Sequence, residues 1–243
     1  MSSDPPIRLS GVTYQIGDAV LVRDLSFEVR RSQTVVLVGR SGSGKTTALR
    51  LVNHTLMPTN GEVTVEGRRT SDWDAIRLRR RIGYVIQDVG LFPHFTVARN
   101  ISLIPTLESW EADRIEARVH ELLDKVGLPA DVLTRYPDQL SGGQRQRVGV
   151  ARALAADPPM LLMDEPFGAL DPITRAEIQR EFLAIQADLG KAILFVTHDL
   201  REALLLGHRI GLMDHGRLVW IGTPDEFRSS ADPNISAFRE SLE

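Results

Sequence analysis

The chain has 243 residues, room for one large α/β domain or for a core that carries a subdomain. It is 42% hydrophobic with a formal net charge of −3, a balance that does not suggest a nucleic-acid binder, for which a basic domain is expected. It contains no cysteine, which excludes disulfides, thiolate metal sites and cysteine nucleophiles. No apolar run approaches the roughly 18 residues of a membrane span. The opening Met-Ser-Ser-Asp-Pro-Pro lacks the basic and apolar regions of a secretory signal, so a cytosolic location is expected.

Taken in chain order, residues 7–31 alternate apolar and polar side chains and predict antiparallel strands. Residues 34–38 form a short apolar run, the signature of a buried parallel strand. A helical run over 47–51 follows, and 61–67 (GEVTVEG) reads as a strand between turn residues. Residues 82–86 are apolar and lead into Gln87. The stretch from about 88 to 157 is mainly helical and lacks strand signals. Within it, 108–126 places Ile115, Val119, Leu122 and Leu123 on one face. A long helix starts after Ser141 and is expected to end at Pro158-Pro159. Residues 161–163 and 192–196 are two more buried strands. Residues 207–222 predict two strands joined at Asp214-His215-Gly216, and Asp232-Pro233 predicts the cap of a last helix.

The densest chemistry lies in Gly39-Arg40-Ser41-Gly42-Ser43-Gly44-Lys45-Thr46, which has the form G-x-x-x-x-G-K-[ST]. A glycine loop between a strand and a helix aims backbone N–H groups inward, and the helix start adds partial positive charge, so phosphate oxygens bind there. Lys45 then reaches the outer phosphates, Thr46 binds Mg²⁺, and Thr47 helps hold the α-phosphate. Lysine is scarce: Lys45, Lys125 and Lys191 are the only three among 29 basic residues, so the loop keeps a compact ammonium in an arginine-rich chain.

Asp164 ends the apolar run MLLM and is placed for the Mg²⁺ hydration shell; Glu165, next to it, is placed to polarise an attacking water. Ser141 has the character of a helix N-cap, and with Gly142, Gly143 and Gln144 it offers a second anion-facing helix start. One chain needs a single cradle for each nucleotide.

These motifs together resemble the ATP-binding subunit of an ABC transporter over nearly the whole chain. The residues that carry the resemblance are the glycine loop, Leu140-Ser141-Gly142-Gly143-Gln144 with Arg145-Gln146-Arg147, the Asp164-Glu165 pair, and Gly168-Ala169-Leu170-Asp171. The resemblance implies a P-loop NTPase (RecA-like) α/β core with an N-terminal antiparallel β-subdomain and an inserted α-helical subdomain. It places the core at 1–87 and 158–222, the helical insertion at about 88–157 and a helical tail at 223–243. It implies ATP and Mg²⁺ as ligands, a head-to-tail pair of chains sharing ATP, transmembrane permease subunits, an indirect solute-binding protein, and no nucleic acid. The subunit would sit on the inner face of the cell membrane. Asp171 falls in the loop that crosses the pair; many relatives have Ser where this chain has Gly168. His198, after the 192–196 strand, would hydrogen-bond the γ-phosphate, and Gln87 would contact Mg²⁺ or the water. Tyr14 either stacks on adenine or is an ordinary half-buried strand tyrosine. Leu91-Phe92-Pro93-His94-Phe95 is either a groove for a permease helix or subdomain core. The strings around Gln87 and around Asp164 resemble the importers of glycine betaine, choline and carnitine; those of polyamines and other solutes look similar.

Overall fold

Alternating apolar side chains set the first layer of the fold. In chain order, the strands and helices run β1 (Ile7–Ile16), β2 (Ala19–Val29), β3 (Thr34–Val38), α1 (Lys45–Val52), β4 (Asn60–Val65), β5 (Arg68–Arg69), α2 (Ala75–Arg80) and β6 (Ile82–Val85). They continue with α3 (Val97–Leu107), α4 (Ala112–Lys125), α5 (Gly142–Leu154), β7 (Met160–Asp164), α6 (Pro172–Leu189) and β8 (Ala192–Thr197). The remainder are α7 (Leu200–Leu206), β9 (Arg209–Asp214), β10 (Arg217–Gly222), α8 (Pro224–Ser229) and α9 (Pro233–Glu240). The computed structural model describes residues 4–240, so the first three residues of the opening and the last three of the expected tail lie outside the described residues. The chain divides into two compact units, one running to Arg79 and resuming at Ala192, the other from Arg80 to Lys191.

In the first unit, β1 pairs antiparallel with β2 and with β4, giving a sheet in the order β2-β1-β4-β5. Ile7, Leu9 and Val12 of β1 are buried. The step from Leu9 to Val12 breaks the period of two because Gly11 takes φ 60 and the register with β2 shifts there. Strand β4 stops at Val65, short of the expected 67, because Glu66 (φ 52) and Gly67 (φ 76) turn the chain into β5. In the same unit β3 lies between β8 and β9 and runs parallel to both. Every residue of β3 and of β8 is buried, which is why they read as continuous apolar runs. Strands β9 and β10 form the expected hairpin, with His215 (φ 43) and Gly216 (φ 77) both at the positive φ such tight turns need. Asp232 accepts from Asn234 N at 2.8 Å and caps α9.

In the second unit β6 runs parallel to β7, with Val85 opposite Met163. Helix α4 starts at Ala112, later than the expected 108. Glu108 instead closes α3 through its N–H to Ile104 O at 2.9 Å, and Ser109 at φ 56 breaks the helical path. Val119, Leu122 and Leu123 are buried as the pattern requires; Ile115 is half-buried. Helix α5 ends at Leu154, before the two prolines reach it, and Asp157 at φ 51 makes the turn. Among the described residues no helix is long and apolar enough to cross a membrane.

Phe182 of α6 is 2% exposed and meets Phe167 edge-on, ring centroids 6.1 Å apart. Phe182→Ala should cost about 3–5 kcal/mol through lost transfer energy and the cavity left behind. A lowered urea midpoint checks this; an unchanged midpoint would place the packing energy elsewhere.

Candidate nucleotide site

The glycine loop runs out of β3, whose apolar residues bury it, and stops at α1. Gly44 takes φ 98, and a Cβ there would stand 2.8 Å from Leu21 O, so both backbone and neighbour demand glycine. Gly216 N donates to Ser43 O at 3.2 Å, which ties the loop to the β9–β10 turn. Arg40, Ser41 and Gly42 are exposed, Ser43 and Lys45 buried, Thr46 and Thr47 half-buried. The Lys45 ammonium donates to Gly39 O at 2.8 Å, Arg40 O at 2.9 Å and Ser43 Oγ at 3.4 Å, so the charge sits inside the loop it serves. Gly44, the N-cap, has no side chain to occupy the first N–H groups of α1, and the first turn holds no acidic residue. Such a helix start suits an anion.

Strands β3 and β8 pair in parallel with Val38 opposite Thr197, so the glycine loop and His198 leave neighbouring strand ends. His198 is exposed. Its turn is fixed from behind: Thr197 Oγ1 donates to Glu202 Oε2 at 2.6 Å and accepts from Asp199 N at 2.9 Å. Glu202 is 3% exposed. Tyr14 is half-buried on β1, opposite Val22, whose neighbour Leu21 touches Gly44. That puts Tyr14 one strand away from the loop.

In the second unit, Gln87 and the Asp164-Glu165 pair follow the neighbouring ends of β6 and β7. Asp164 is buried, and Tyr84 Oη donates to its Oδ2 at 3.3 Å. Glu165 is half-buried with φ 45, a conformation that costs a non-glycine residue on the order of 1–3 kcal/mol. Gly168 N donates to Glu165 O at 3.1 Å and helps hold it. Gln87 is exposed just beyond β6.

Ser141 caps α5 as its sequence predicts. Its Oγ accepts from Gln144 N at 3.2 Å and Gln144 Oε1 accepts from Ser141 N at 3.0 Å, a reciprocal box worth about 0.5–2 kcal/mol. Gly142 stays partly open, while Gly143 is buried against α6, where a Cβ would stand 2.9 Å from Thr174 Cγ2. The second glycine therefore serves packing as well as any ligand. Asp171 caps α6, accepting from Ile173 N and Thr174 N at 3.1 Å each.

The reading of Phe92 and Phe95 as core does not hold. Phe92 is 39% exposed and Phe95 half-buried, and with His94 they form an aromatic cluster at centroid distances of 4.5–6.1 Å. Buried Asn100 fastens this segment: its Oδ1 accepts from Phe92 N at 2.8 Å, and its Nδ2 donates to the oxygens of Phe92, Phe95 and Thr96 at 3.1–3.2 Å. Asn100, Tyr84, Thr197 and Glu202 escape sequence reading. Tyr84 acts through a partner distant in the chain, Asn100 on backbone atoms, and Thr197 and Glu202 on each other across one turn, and none of these leaves a motif to read.

The Thr174 hydroxyl, then the N–H groups of Thr174 and Ile173, hold the Asp171 carboxyl below its ordinary pKa of 3.8. A depressed folded value stabilises the fold above 3.8, and that contribution is lost as pH falls through the lower folded pKa. Asp171→Asn keeps a good cap and removes the titration. On acidification below 3.8 the wild type should lose more stability than the variant. Urea midpoints at neutral and acid pH check this; equal losses would assign the acid sensitivity to other carboxylates.

Comparison with known proteins places this geometry. The family model for ABC transporter matches residues 22–168. The glycine betaine/carnitine/choline transport ATP-binding protein OpuCA of Bacillus subtilis (strain 168) is 46% identical over 223 residues, 91% of this chain and 59% of OpuCA. The chain thus spans less than two thirds of that relative. The glycine betaine uptake system ATP-binding protein YehX of Escherichia coli (strain K12) is 49% identical over 218 residues, 90% of this chain and 71% of YehX. A dimeric post-hydrolysis state of the ATP-binding cassette MJ0796, bound to ADP and Pi, matches with a TM-score of 0.79 at 32% identity, covering 90% of this chain and 98% of that one. A glycine loop closed by its own lysine and a serine-capped LSGGQ helix thus lie in a chain that belongs to the ABC transporter family.

Proposed function

We propose that this chain is the ATP-hydrolysing subunit of an importer for glycine betaine- or choline-type osmoprotectants. The observation that carries the reading is the presence, in one chain, of two helix starts suited to anions: Gly44 into α1 and Ser141 into α5. A single nucleotide fills one of them. Two copies set head to tail use both, with Ser141, Gly142 and Gln144 of one chain closing on ATP held by the glycine loop of the other. The dimeric MJ0796 cassette supports the pairing, and the names of OpuCA and YehX support the solute class.

Within each copy, Lys45 and the loop N–H groups bind the phosphates, and Thr47 supports the inner one. Glu165 accepts the proton of the water that attacks the γ-phosphorus, and ADP leaves with the bond electrons. His198 donates to the γ-phosphate oxygens and orients them. Tyr14 stacks on the base. Thr46, Asp164 and Gln87 each offer an oxygen donor of the kind Mg²⁺ takes and would hold it, and Tyr84 orients the Asp164 carboxylate. Bound Mg²⁺ neutralises charge on the phosphate oxygens. The aromatic cluster at Phe92, His94 and Phe95, held out by Asn100, receives a permease helix and keeps the subunit at the inner membrane face. A separate binding protein selects the solute.

Glu165→Gln should lower turnover by about 10²–10⁴, the range of a lost general base, while ATP still binds and dimers accumulate. Light scattering reads the dimer and phosphate release reads the turnover. An ATP-bound Glu165→Gln chain that stays monomeric, alone and beside its permease, would sink the shared-nucleotide reading. Ser141→Arg should abolish the ATP-dependent dimer by bulk and charge. Deleting the chain should abolish uptake of labelled glycine betaine and choline; uptake that persists assigns the subunit another solute.

A further inference from the structure

The loop that carries Gln87 is bent against its own preference. Val89 takes φ 60 and Gly90 φ 55 in succession, and a β-branched residue avoids the left-handed region. Helix α5 supplies two contacts that hold the bend. Arg152 Nη1 donates to Gly90 O and Nη2 to Val89 O, both at 2.6 Å, so one planar guanidinium spans two successive carbonyls. Gly149, three residues earlier and hence on the same helix face, leaves a seat for the Val89 side chain: a Cβ there would stand 2.5 Å from Val89 Cγ1.

We propose that Arg152 is a positioning residue for turnover: its guanidinium carries the position of α5, whose start is Ser141, into the Gln87 loop. Ser141 and Arg152 lie on one helix, about 16 Å apart along its axis at 1.5 Å per residue. A shift of α5 when its start meets nucleotide drags two loop carbonyls with it and resets Gln87. Hydrolysis in one site then depends on closure at the other through a side chain that touches neither nucleotide nor metal. The inference rests on the ATPase reading given above. It goes further in naming the link between the signature helix and the Gln87 loop.

The test uses the full chain reconstituted with its permease. Arg152→Lys keeps the charge and loses the two-pronged contact. Gly149→Ala fills the seat and leaves Arg152 intact, and Val89→Ala added to it makes room again. Arg152→Lys should speed amide hydrogen exchange at residues 86–91, leave ATP affinity by calorimetry within about twofold, and lower kcat roughly tenfold, the scale of long-range coupling losses. Gly149→Ala should act likewise, and the double variant should recover most of the kcat. A folded Arg152→Lys chain with kcat within about twofold of wild type overturns the proposal. So does an equal fall in ATP affinity and kcat, or a double variant no better than Gly149→Ala. A wild-type chain that turns over no ATP refutes the ATPase reading instead; exchange at 86–91 then still decides whether the fork holds the loop.

Discussion

Guanidinium groups on backbone carbonyls organise the stretch from Arg80 to Lys191. Arg147 of α5 donates to Val126 O at 3.1 Å and Gly127 O at 3.3 Å, where α4 ends. Arg118 of α4 donates to Leu154 O at 2.9 Å and Ala155 O at 3.3 Å, where α5 ends. The two helices thus brace each other's C-termini. Arg145 reaches Leu140 O at 2.6 Å, ahead of the LSGGQ cap, and Arg175 reaches Leu170 O at 3.0 Å, ahead of Asp171. A helix end leaves its last carbonyls without partners and carries partial negative charge, so a flat cation with paired donors answers both needs. Bonds of this charged kind contribute about 1.5–3 kcal/mol each. An ammonium offers a point charge in place of a fork, so arginine suits these carbonyl contacts better than lysine.

The same feature shows what was legible beforehand. Motifs that bind phosphate announce themselves because glycine, lysine and serine must stand at fixed spacing, and Gly39 to Thr46 and Ser141 to Gln144 lie where their spacing puts them. Strands β3 and β8 were legible because burial on both faces leaves unbroken apolar runs. The start of α4 was not, because Ser109 takes a left-handed turn that serine does not advertise. Nor was the end of α5. Pro158 is a visible stop, but an Arg118 fork from another helix satisfies the last carbonyls earlier. Side chains that act on backbone atoms, such as Asn100 and Arg152, carry no signature in their own neighbourhood of sequence.

Two of the positions closest to the proposed chemistry, Val89 beside Gln87 and Glu165 beside Asp164, hold left-handed backbone without being glycine. Glycine at those sites would adopt the bend at no steric cost. The bend at Val89 is held from outside, by Arg152 of α5, whereas that at Glu165 is closed within its own loop by the turn bond from Gly168 N. Magnitudes decide how firmly. Strain of about 1–3 kcal/mol at Val89 stands against two charge-assisted bonds of about 1.5–3 kcal/mol each. The bend wins while both prongs of Arg152 engage, and one prong alone is about an even match for the strain. A loop built on glycine would keep its shape whatever α5 did. A loop built on Val89 keeps it only while α5 stays in register, which makes the conformation of the Gln87 segment a reading of where the signature helix stands.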